Sequence, residues 1–342
     1  MNPVRFGVVG AGVISQSHRK GIESAPGAEF TAICDVFVDK ARQRAEGSGA
    51  KVFDDYRKMM DSGLVDAIMI ATPHPSHPDI AFAAFERGIH VLCEKPLSQE
   101  IRSARAMVAA ADKAGLKLGV CFQSRVSPLF MKAKEIIASG GIGAVTRAVW
   151  TITSCLRTAF YYDSGDWRGT WDSEGGGVLL NQCPHQLDMY QWLVGMPSRV
   201  KASVALGKYH DIYVEDDVTA LLEWKDGASG VFIASTGEWP GVNRLEISGD
   251  RGRMVIEGDK IVLTRLAGSV AETVRTTDKV AEGPAATTET LSPAAAEGQL
   301  VGHAGLVKNF VEAIRGQAGL VSPGVEGLNS LELANAMILS GV

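Results

Sequence analysis

The sequence predicts a two-domain protein: a doubly wound, parallel α/β sheet in the N-terminal half, followed by an α+β domain with a mostly antiparallel sheet. Strand and helix patterns alternate from residue 4 to about residue 121, which is typical of βαβ units and a parallel sheet. Beyond that point the alternation stops, and short strands separated by turn residues indicate hairpins. The length of 342 residues exceeds the usual size of one domain, so we expect domains at 1–123 and 124–342.

The first half alternates predicted strands with predicted helices. The strands are predicted at 4–9, 30–34, 51–53, 65–71, 89–93 and 117–121, and the helices at 16–24, about 38 onward, 56–60, 77–87 and 101–114. Parallel strands bind their ligands at their carboxyl ends. The residues directly after the last three strands are therefore site candidates, namely Thr72, Pro73, Glu94, Lys95, Pro96, Phe122 and Gln123. Thr72, Pro73, Glu94 and Lys95 among them are predicted to contact the cofactor.

The second half is predicted to contain one helix, a set of short strands and two closing helices. The helices are predicted at 126–139, 303–315 and 326–339, and the strands at 144–153, 199–206, 217–224, 228–235, 244–248, 253–257 and 261–266. Turn sequences at 225–227 and 249–252 predict antiparallel hairpins. Residues 269–300 are rich in Ala, Thr, Glu and Pro without a clear period, so we expect an irregular segment there.

The composition is that of an ordinary globular protein, with 46% hydrophobic and 21% charged residues. A net charge of −5 gives no basic surface for nucleic acid. No apolar run reaches the roughly 18 residues of a membrane span, and residues 4–9 indicate a strand and not a signal peptide. The five cysteines are scattered without a close pair, which favours reduced thiols in a cytoplasmic compartment over disulfides or a zinc site. We therefore predict no metal.

A glycine-rich turn joins the first strand to the first helix. Gly10 and Gly12 match the first two glycines of a Gly-x-Gly-x-x-Gly pattern, and Ser15 stands at the third. Gly10 permits the tight turn, and Gly12 lets the backbone approach a pyrophosphate, whose charge the helix N-terminus favours. Together with Val13 and Ile14, these glycines are predicted to bind the cofactor.

Asp35 follows the second strand about 20 residues after this turn, where an acidic residue binds the hydroxyls of the adenosine ribose. The alternatives are a loop carboxylate or the N-cap of the next helix. A carboxylate at this position repels a 2′-phosphate, so NAD is predicted in preference to NADP, although Lys40 and Arg42 lie nearby.

Lys95 directly follows an apolar strand and precedes Pro96, at the sheet edge where ligands bind. Its ammonium group is predicted to hydrogen-bond a substrate hydroxyl and to stabilise negative charge on that oxygen. The alternative is a solvated lysine paired with Glu94. His77 precedes a helix and is a candidate cofactor contact, with capping or packing as the alternative.

A loop from Tyr161 to Trp171 concentrates aromatic residues, glycines and an arginine. Aromatic faces with neighbouring polar groups suit sugar rings, which present C–H faces and many hydroxyls. Trp167 and Arg168 are therefore predicted to contact the substrate. The alternative is a packed surface loop, since exposed aromatic side chains are otherwise a liability.

The central segment, residues 175–188, contains a glycine triplet followed by Asn181, His185 and Asp188. His185 and Asp188 share a helix face, and Asn181 joins them if the helix extends that far. Pro184 best fits a first helical turn, so the relation between His185 and Asp188 is the firmer one. An imidazole is a good base for an alcohol proton, and we predict His185 as that base, with the alternative of a core histidine.

In their order along the chain, these motifs resemble the glucose–fructose oxidoreductase/inositol dehydrogenase (Gfo/Idh/MocA) family over nearly the whole length. The matching motifs are Gly10-Ala-Gly12, Asp35, Glu94-Lys95-Pro96, the glycine triplet, His185-x-x-Asp188 and residues 326–335. The resemblance implies a Rossmann domain, a second domain with a large open sheet, and oxidation of a ring hydroxyl of a sugar or cyclitol with NAD(P). It also implies Lys95 and His185 as the catalytic pair, and a homodimer or homotetramer, which we expect to form through the C-terminal sheet.

Asn181 departs from the family pattern, in which an aspartate often stands four residues before the histidine. An amide cannot act as a base, but it can hold a substrate hydroxyl. We predict hydride transfer from a secondary alcohol carbon of a sugar, anhydrosugar or cyclitol to nicotinamide, with substrate contacts from Gln123, Arg125, Trp167, Arg168, Asn181 and the supporting residue Asp188. Two alternatives stay open: an NAD-dependent glycosidase that uses transient oxidation, and a catalytically inactive nucleotide-bound subunit.

Overall fold

The computed structural model describes residues 2–342. Its strands are β1 (Val4–Val9), β2 (Ala28–Cys34), β3 (Lys51–Phe53), β4 (Ala67–Ile70), β5 (His90–Cys93), β6 (Leu118–Val120), β7 (Val145–Ile152), β8 (Arg199–Leu206), β9 (Glu215–Glu223), β10 (Ser229–Ser235), β11 (Asn243–Gly249), β12 (Gly252–Glu257), β13 (Lys260–Leu266) and β14 (Ala286–Leu291). Its α-helices are α1 (Ser15–Ser24), α2 (Val38–Ala45), α3 (Tyr56–Asp61), α4 (His77–Phe85), α5 (Ile101–Ala114), α6 (Pro128–Ala138), α7 (Ala159–Asp163), α8 (Pro184–Val194), α9 (Val270–Thr276), α10 (Gly302–Ile314) and α11 (Gly324–Gly341). Across residues 2–342, no helix combines the length and the apolar character needed to cross a membrane.

The N-terminal sheet is parallel throughout and has the strand order β3-β2-β1-β4-β5-β6. The chain begins in the middle of the sheet and winds outward first one way and then the other. The order therefore reverses between β1 and β4, and dinucleotides bind at such a switch point in doubly wound sheets. The predicted parallel, doubly wound sheet is confirmed, and the strand bounds differ from the predicted ones only at their ends.

Apolar runs explain why these strands form a buried sheet. β4 is buried at every position, as expected for a parallel strand that is covered on both faces. The core beside the sheet contains Phe6, Ile33 and Met69, and α10 contributes Phe310 to it. The ring centroids of Phe6 and Phe310 lie 6.2 Å apart. A helix near the end of the chain thus completes the core of the N-terminal sheet.

This return of the chain corrects the predicted domain division. The chain forms two compact units: unit one contains the residues up to Ser127, Trp171–Gly175 and Ala295–Glu332, and unit two contains Pro128–Thr170, Gly176–Ala294 and Leu333–Val342. The prediction placed everything after residue 123 in the second domain. Residues 295–332 instead belong to unit one, because α10 buries its apolar face there.

The sheet of unit two has the strand order β14-β13-β12-β11-β7-β10-β9-β8. Its pairings are antiparallel except for the parallel pair of β7 and β10. The hairpins predicted at 225–227 and 249–252 join β9 to β10 and β11 to β12. Burial alternates along β12, so one face of that strand is covered and the other is more accessible to solvent. The large, mostly antiparallel open sheet is confirmed.

Residues 269–300 contain a helix and a strand, so the expectation of a wholly irregular segment was wrong. Ser269 caps α9, since its Oγ accepts a hydrogen bond from the N–H of Glu272 at 3.0 Å. β14 pairs with β13, and its residues are mostly exposed. β14 is held in the sheet by backbone hydrogen bonds to β13 and buries neither face. Its sequence therefore lacks the alternation of apolar residues from which a strand is usually predicted.

Candidate active site

The glycine turn after β1 has the geometry that a dinucleotide requires. Gly10 has a φ of 102°, and a Cβ at this position would lie 2.5 Å from the carbonyl oxygen of Ala71. A Cβ on Gly12 would meet no described atom within 4 Å, so protein packing does not require this glycine, and the predicted approach of a pyrophosphate stays its explanation. Ser15 begins α1 and donates from Oγ to the carbonyl of Gly12 at 2.6 Å, which closes the turn.

Asp35 joins the glycine turn to the loop after β2. Its Oδ2 accepts a hydrogen bond from the N–H of Ala11 at 2.6 Å, and its Oδ1 accepts one from the N–H of Phe37 at 2.8 Å. These bonds orient the carboxylate, and each oxygen retains a second lone pair for a ribose hydroxyl. Val36 and Phe37, which the sequence analysis did not single out, are 81% and 62% exposed. Exposed apolar side chains beside this carboxylate suit the flat face of an adenine ring.

His77 contacts backbone carbonyls on two loops of unit one. The ring is fully buried, with Nδ1 3.1 Å from the carbonyl oxygen of Pro96 and Nε2 2.9 Å from that of Thr72. Burial lowers the pKa of His77, so the neutral ring donates to one of these carbonyls at a time. Because both nitrogens face the protein, we replace the predicted cofactor contact of His77 with a structural role. Thr72 and Pro73 remain predicted cofactor contacts.

A cluster of one buried and two partly buried side chains lies beside the turn that carries Lys95. Oε2 of Glu94 accepts the N–H of Lys95 at 3.1 Å, and Oε1 lies 2.9 Å from Nε2 of His18, a fully buried residue of α1. His303 of α10 completes the cluster: one ring nitrogen from each histidine and a carboxylate oxygen lie within 4.8 Å of one another. Burial lowers the pKa of His303. His18 and His303 were not predicted as neighbours of Glu94, because the three residues come from distant segments of the chain.

The side chain of Arg125 is buried in unit one and forms hydrogen bonds there. Its guanidinium is 1% exposed and donates to Oε2 of Glu326 at 3.1 Å and to the carbonyl oxygen of Val321 at 3.0 Å. These bonds join the turn after β6 to the N-terminal end of α11. We therefore correct the predicted substrate contact of Arg125 to a structural role. Gln123, in the same turn, remains a predicted substrate contact.

The central segment forms two successive helical turns in unit two. A π-helical turn spans Val178–Gln182, and α8 begins at Pro184 directly afterwards. Pro184 therefore occupies the first helical turn, as predicted. Asn181 lies in the π-helical turn, so it does not share one face of a continuous α-helix with His185.

Tyr161 connects the aromatic loop to the central segment within unit two. Its hydroxyl accepts hydrogen bonds from Nδ2 of Asn181 at 3.1 Å and from Nε2 of Gln182 at 3.2 Å. The guanidinium of Arg168 lies 4.4 Å from the ring centroid of Tyr161 and 5.3 Å from that of Trp167. Tyr161 opens the predicted aromatic loop, but only Trp167 and Arg168 were predicted as substrate contacts. The loop is thus built around stacked aromatic and guanidinium groups, and its substrate contacts stay a prediction.

His185 and Asp188 have different surroundings on α8. His185 is the second residue of the helix and is half-buried. Asp188 is fully buried, and its Oδ1 accepts a hydrogen bond from Nε2 of Gln191 at 3.3 Å. Burial of the carboxylate favours the supporting role of Asp188 over its predicted substrate contact. The role of His185 in proton transfer stays a prediction.

The glycine turn, the oriented Asp35 and the switch point of the parallel sheet define the class of protein: an NAD-binding oxidoreductase with a Rossmann fold. Residues 4–122 match the Gfo/Idh/MocA oxidoreductase family with its NAD-binding Rossmann fold, and residues 130–255 match the C-terminal domain of the same family. The chain belongs to the Gfo/Idh/MocA family.

Individual relatives cover most of the chain. An inositol 2-dehydrogenase of Rhizobium meliloti is 27% identical over 344 residues, which is 98% of this chain and 96% of that protein. A myo-inositol 2-dehydrogenase of Thermotoga maritima is 28% identical over 76% of this chain and 78% of its own. The crystal structure of the WlbA dehydrogenase from Bordetella pertussis, in complex with NADH and UDP-GlcNAcA, is 29% identical with a TM-score of 0.85. That alignment covers 99% of this chain and 96% of the other.

Proposed function

We propose that the protein is an NAD-dependent dehydrogenase that oxidises a ring secondary hydroxyl of a sugar, anhydrosugar or cyclitol. The observation that carries the proposal is the presence of two groups in one family member: Lys95 on a fixed turn after β5, and His185 in the first turn of α8. Similarity to an inositol 2-dehydrogenase over 98% of the chain supports a polyol as the substrate.

In the proposed reaction, His185 accepts the proton of the reacting hydroxyl while Lys95 donates a hydrogen bond to the same oxygen. NAD, when bound, supplies the hydride acceptor, so that an alcohol and NAD yield a ketone, NADH and a proton. The ammonium group of Lys95 stabilises the negative charge that develops on the oxygen. Asn181 holds a neighbouring hydroxyl and orients the ring, since an amide both donates and accepts hydrogen bonds.

The residues of unit one that would hold the cofactor follow from the geometry. The backbone at Gly10 and Gly12 and the N-terminus of α1 would bind the pyrophosphate. Asp35 would accept the ribose hydroxyls, and Val36 and Phe37 would cover the adenine.

A substrate panel tests the proposal directly. The purified protein is incubated with cyclitols, monosaccharides, anhydrosugars and glycosides, and NADH formation is followed at 340 nm with NAD and NADP in parallel. We expect NADH with at least one polyol and a preference for NAD. Release of an aglycone without accumulation of NADH would indicate the glycosidase instead, and a panel without any turnover would contradict catalysis.

Replacement of Asp35 by asparagine is expected to lower the preference for NAD over NADP by about tenfold, expressed as the ratio of kcat/KM values. The asparagine keeps an acceptor for a backbone N–H but removes the charge that repels a 2′-phosphate. The matched control is Asp39→Asn in α2, where the carboxylate is exposed and paired with Arg42. An unchanged ratio in the Asp35 variant would show that Asp35 does not set the preference for NAD over NADP.

We further propose a homo-oligomer that forms through the open sheet of unit two. Residues that pair directly across strands point to the same face. The central part of one such row, on the six strands from β9 to β13 in the sheet, is apolar apart from one glutamate and is half-buried or exposed: Leu221, Val231, Val149, Glu246, Val255 and Val262. The row ends in polar residues on the two edge strands, Lys201 and Thr290. A second copy of the sheet would cover this row.

Replacement of Val231 by lysine, in the middle of this row, is expected to convert the oligomer to a monomer, because an ammonium group would be buried without a partner. Light scattering after gel filtration measures the mass. The control is Val274→Lys in α9, where the side chain is 74% exposed and lies outside the sheet. A monomeric wild type, or a Val231 variant with unchanged mass, would contradict this interface.

A further inference from the structure

Glu215 is a fully buried carboxylate that the sequence analysis did not consider. It is the first residue of β9, and its Oε2 accepts the N–H of Gly177 at 2.8 Å while its Oε1 accepts the N–H of Leu179 at 3.0 Å. A buried charge is costly unless hydrogen bonds satisfy it, and bonds from N–H groups to a carboxylate are among the strong ones. Both donors belong to the start of the π-helical turn in the central segment.

The carboxylate of Glu215 takes the place of a helix N-cap. The first N–H groups of a helical turn have no partner within the turn, and Gly177 has no side chain with which to cap them. The positive end of the turn also favours a negative charge. Glu215 supplies the acceptors and the charge from a neighbouring strand.

The same contact explains the glycine at position 177. A Cβ there would overlap the backbone carbonyl oxygen of Glu215 and would lie 2.9 Å from Cγ2 of Val214. The backbones of the central segment and β9 therefore approach each other more closely than any side chain at residue 177 permits. Contact with Glu215 is sufficient to require this last glycine of the triplet, independently of any substrate.

The capped turn leads directly to the proposed reactive groups. The N–H of Asn181 donates to the carbonyl of Gly177 at 2.9 Å, and the N–H of Cys183 donates to the carbonyl of Val178 at 2.8 Å. α8, with His185 as its second residue, begins at the next position. The position of His185 thus depends on a short series of backbone hydrogen bonds. Glu215 holds the residues at the start of that series, Gly177 and Leu179.

We propose that Glu215 is a positioning residue that sets the place of Asn181 and His185 for catalysis, an inference that rests on the proposed function of His185. Because its side chain is fully buried, it acts through the backbone of the π-helical turn and not by contact with the substrate. The carboxylate charge is essential to this role, because a neutral amide offers one acceptor to two N–H groups and directs its own N–H₂ toward the second.

The variants Glu215→Gln and Asp216→Asn form a matched pair for the test. Asp216 is the next residue and is equally buried, but its carboxylate accepts the N–H groups of 208–210. Hydrogen exchange followed by mass spectrometry is expected to be at least about tenfold faster in residues 177–182 of the Glu215 variant. In the Asp216 variant the faster exchange should fall in residues 208–210 instead.

Kinetics complete the test. For the best polyol of the panel, Glu215→Gln should lower kcat/KM at least about tenfold and leave the Kd for NAD unchanged, whereas Asp216→Asn should lower kcat/KM less than about threefold. Glu215→Asp, which keeps the charge on a shorter side chain, should give an intermediate kcat/KM. If thermal melting shows that Glu215→Gln is unfolded, the kinetic comparison is made with Glu215→Asp instead.

The outcomes separate the two proposals. Unchanged exchange in 177–182 would overturn the cap, and faster exchange with normal kcat/KM would overturn the positioning role. Equal losses of kcat/KM in the Glu215 and Asp216 variants would also overturn it, because general destabilisation would then suffice. If the wild type oxidises no polyol, the proposed function fails, while the exchange measurement still decides whether Glu215 caps the turn.

Discussion

Lys95→Ala is expected to lower kcat by about a thousandfold and to leave the Kd for NAD nearly unchanged. The ammonium group is proposed to act on the substrate oxygen as negative charge develops, so its loss affects the transition state more than ground-state binding. We expect the variant to retain the turn, because Glu94 accepts the backbone N–H of residue 95 and lies 2.9 Å from His18. Steady-state NADH formation gives kcat, and a fluorescence titration gives the Kd for NAD.

Two further variants make this result specific to Lys95. Lys95→Arg keeps the positive charge but changes the geometry, and we expect it to recover only part of the activity. Lys58→Ala removes an exposed lysine of α3 that pairs with Asp54, and it should retain wild-type turnover. A Lys95→Ala enzyme whose kcat stays within tenfold of wild type would exclude the proposed role.

His185→Asn is expected to lower kcat by about 10²–10⁴-fold, the usual contribution of a general base. The proton of the hydroxyl then has no acceptor on the protein. The residual rate should rise with pH, because hydroxide in solution replaces the missing base. A pH series of kcat/KM and a primary isotope effect with substrate deuterated at the reacting carbon measure both consequences.

The control for this variant is His90→Asn. His90 begins β5, and its Nδ1 accepts the backbone N–H of Lys117 at 3.0 Å, so it makes structural contacts only. Circular dichroism and thermal melting should show that both variants are folded. A His185→Asn enzyme with normal kcat and the wild-type pH profile would exclude His185 as the base. It would favour the alternative, in which His185 only packs in the core.

The sequence predicts backbone features best where local geometry restricts the choice of side chain. Gly10 adopts a positive φ, Asp35 directly follows β2, and Lys95 lies two residues after the end of β5, so that both side chains stand at the carboxyl ends of parallel strands. Strand ends can be read from apolar runs, and the strand order of a doubly wound sheet follows from the alternation with helices. The parallel sheet and the glycine turn were therefore accessible without coordinates, and the cofactor contacts of their residues stay predictions.

The errors arose where a polar side chain finds a remote partner. Arg125 and His77 follow strands or precede helices, and their positions resemble those of ligand-binding residues. Arg125 nevertheless binds Glu326, and His77 binds the carbonyl of Pro96. Whether a polar group faces a ligand or the interior depends on elements that pack on it, and sequence spacing does not contain that information.

Hydrophobic period, glycine conformation and strand ends are local properties, so the two folds, the glycine turn and the order of the family motifs follow from the sequence alone. Three features depend on the folded chain: α10 returns to unit one, His18 and His303 lie beside Glu94, and Glu215 caps the turn before His185. These are contacts between segments distant along the chain. Burial makes them strong, since a buried carboxylate or imidazole requires a partner wherever the fold provides one.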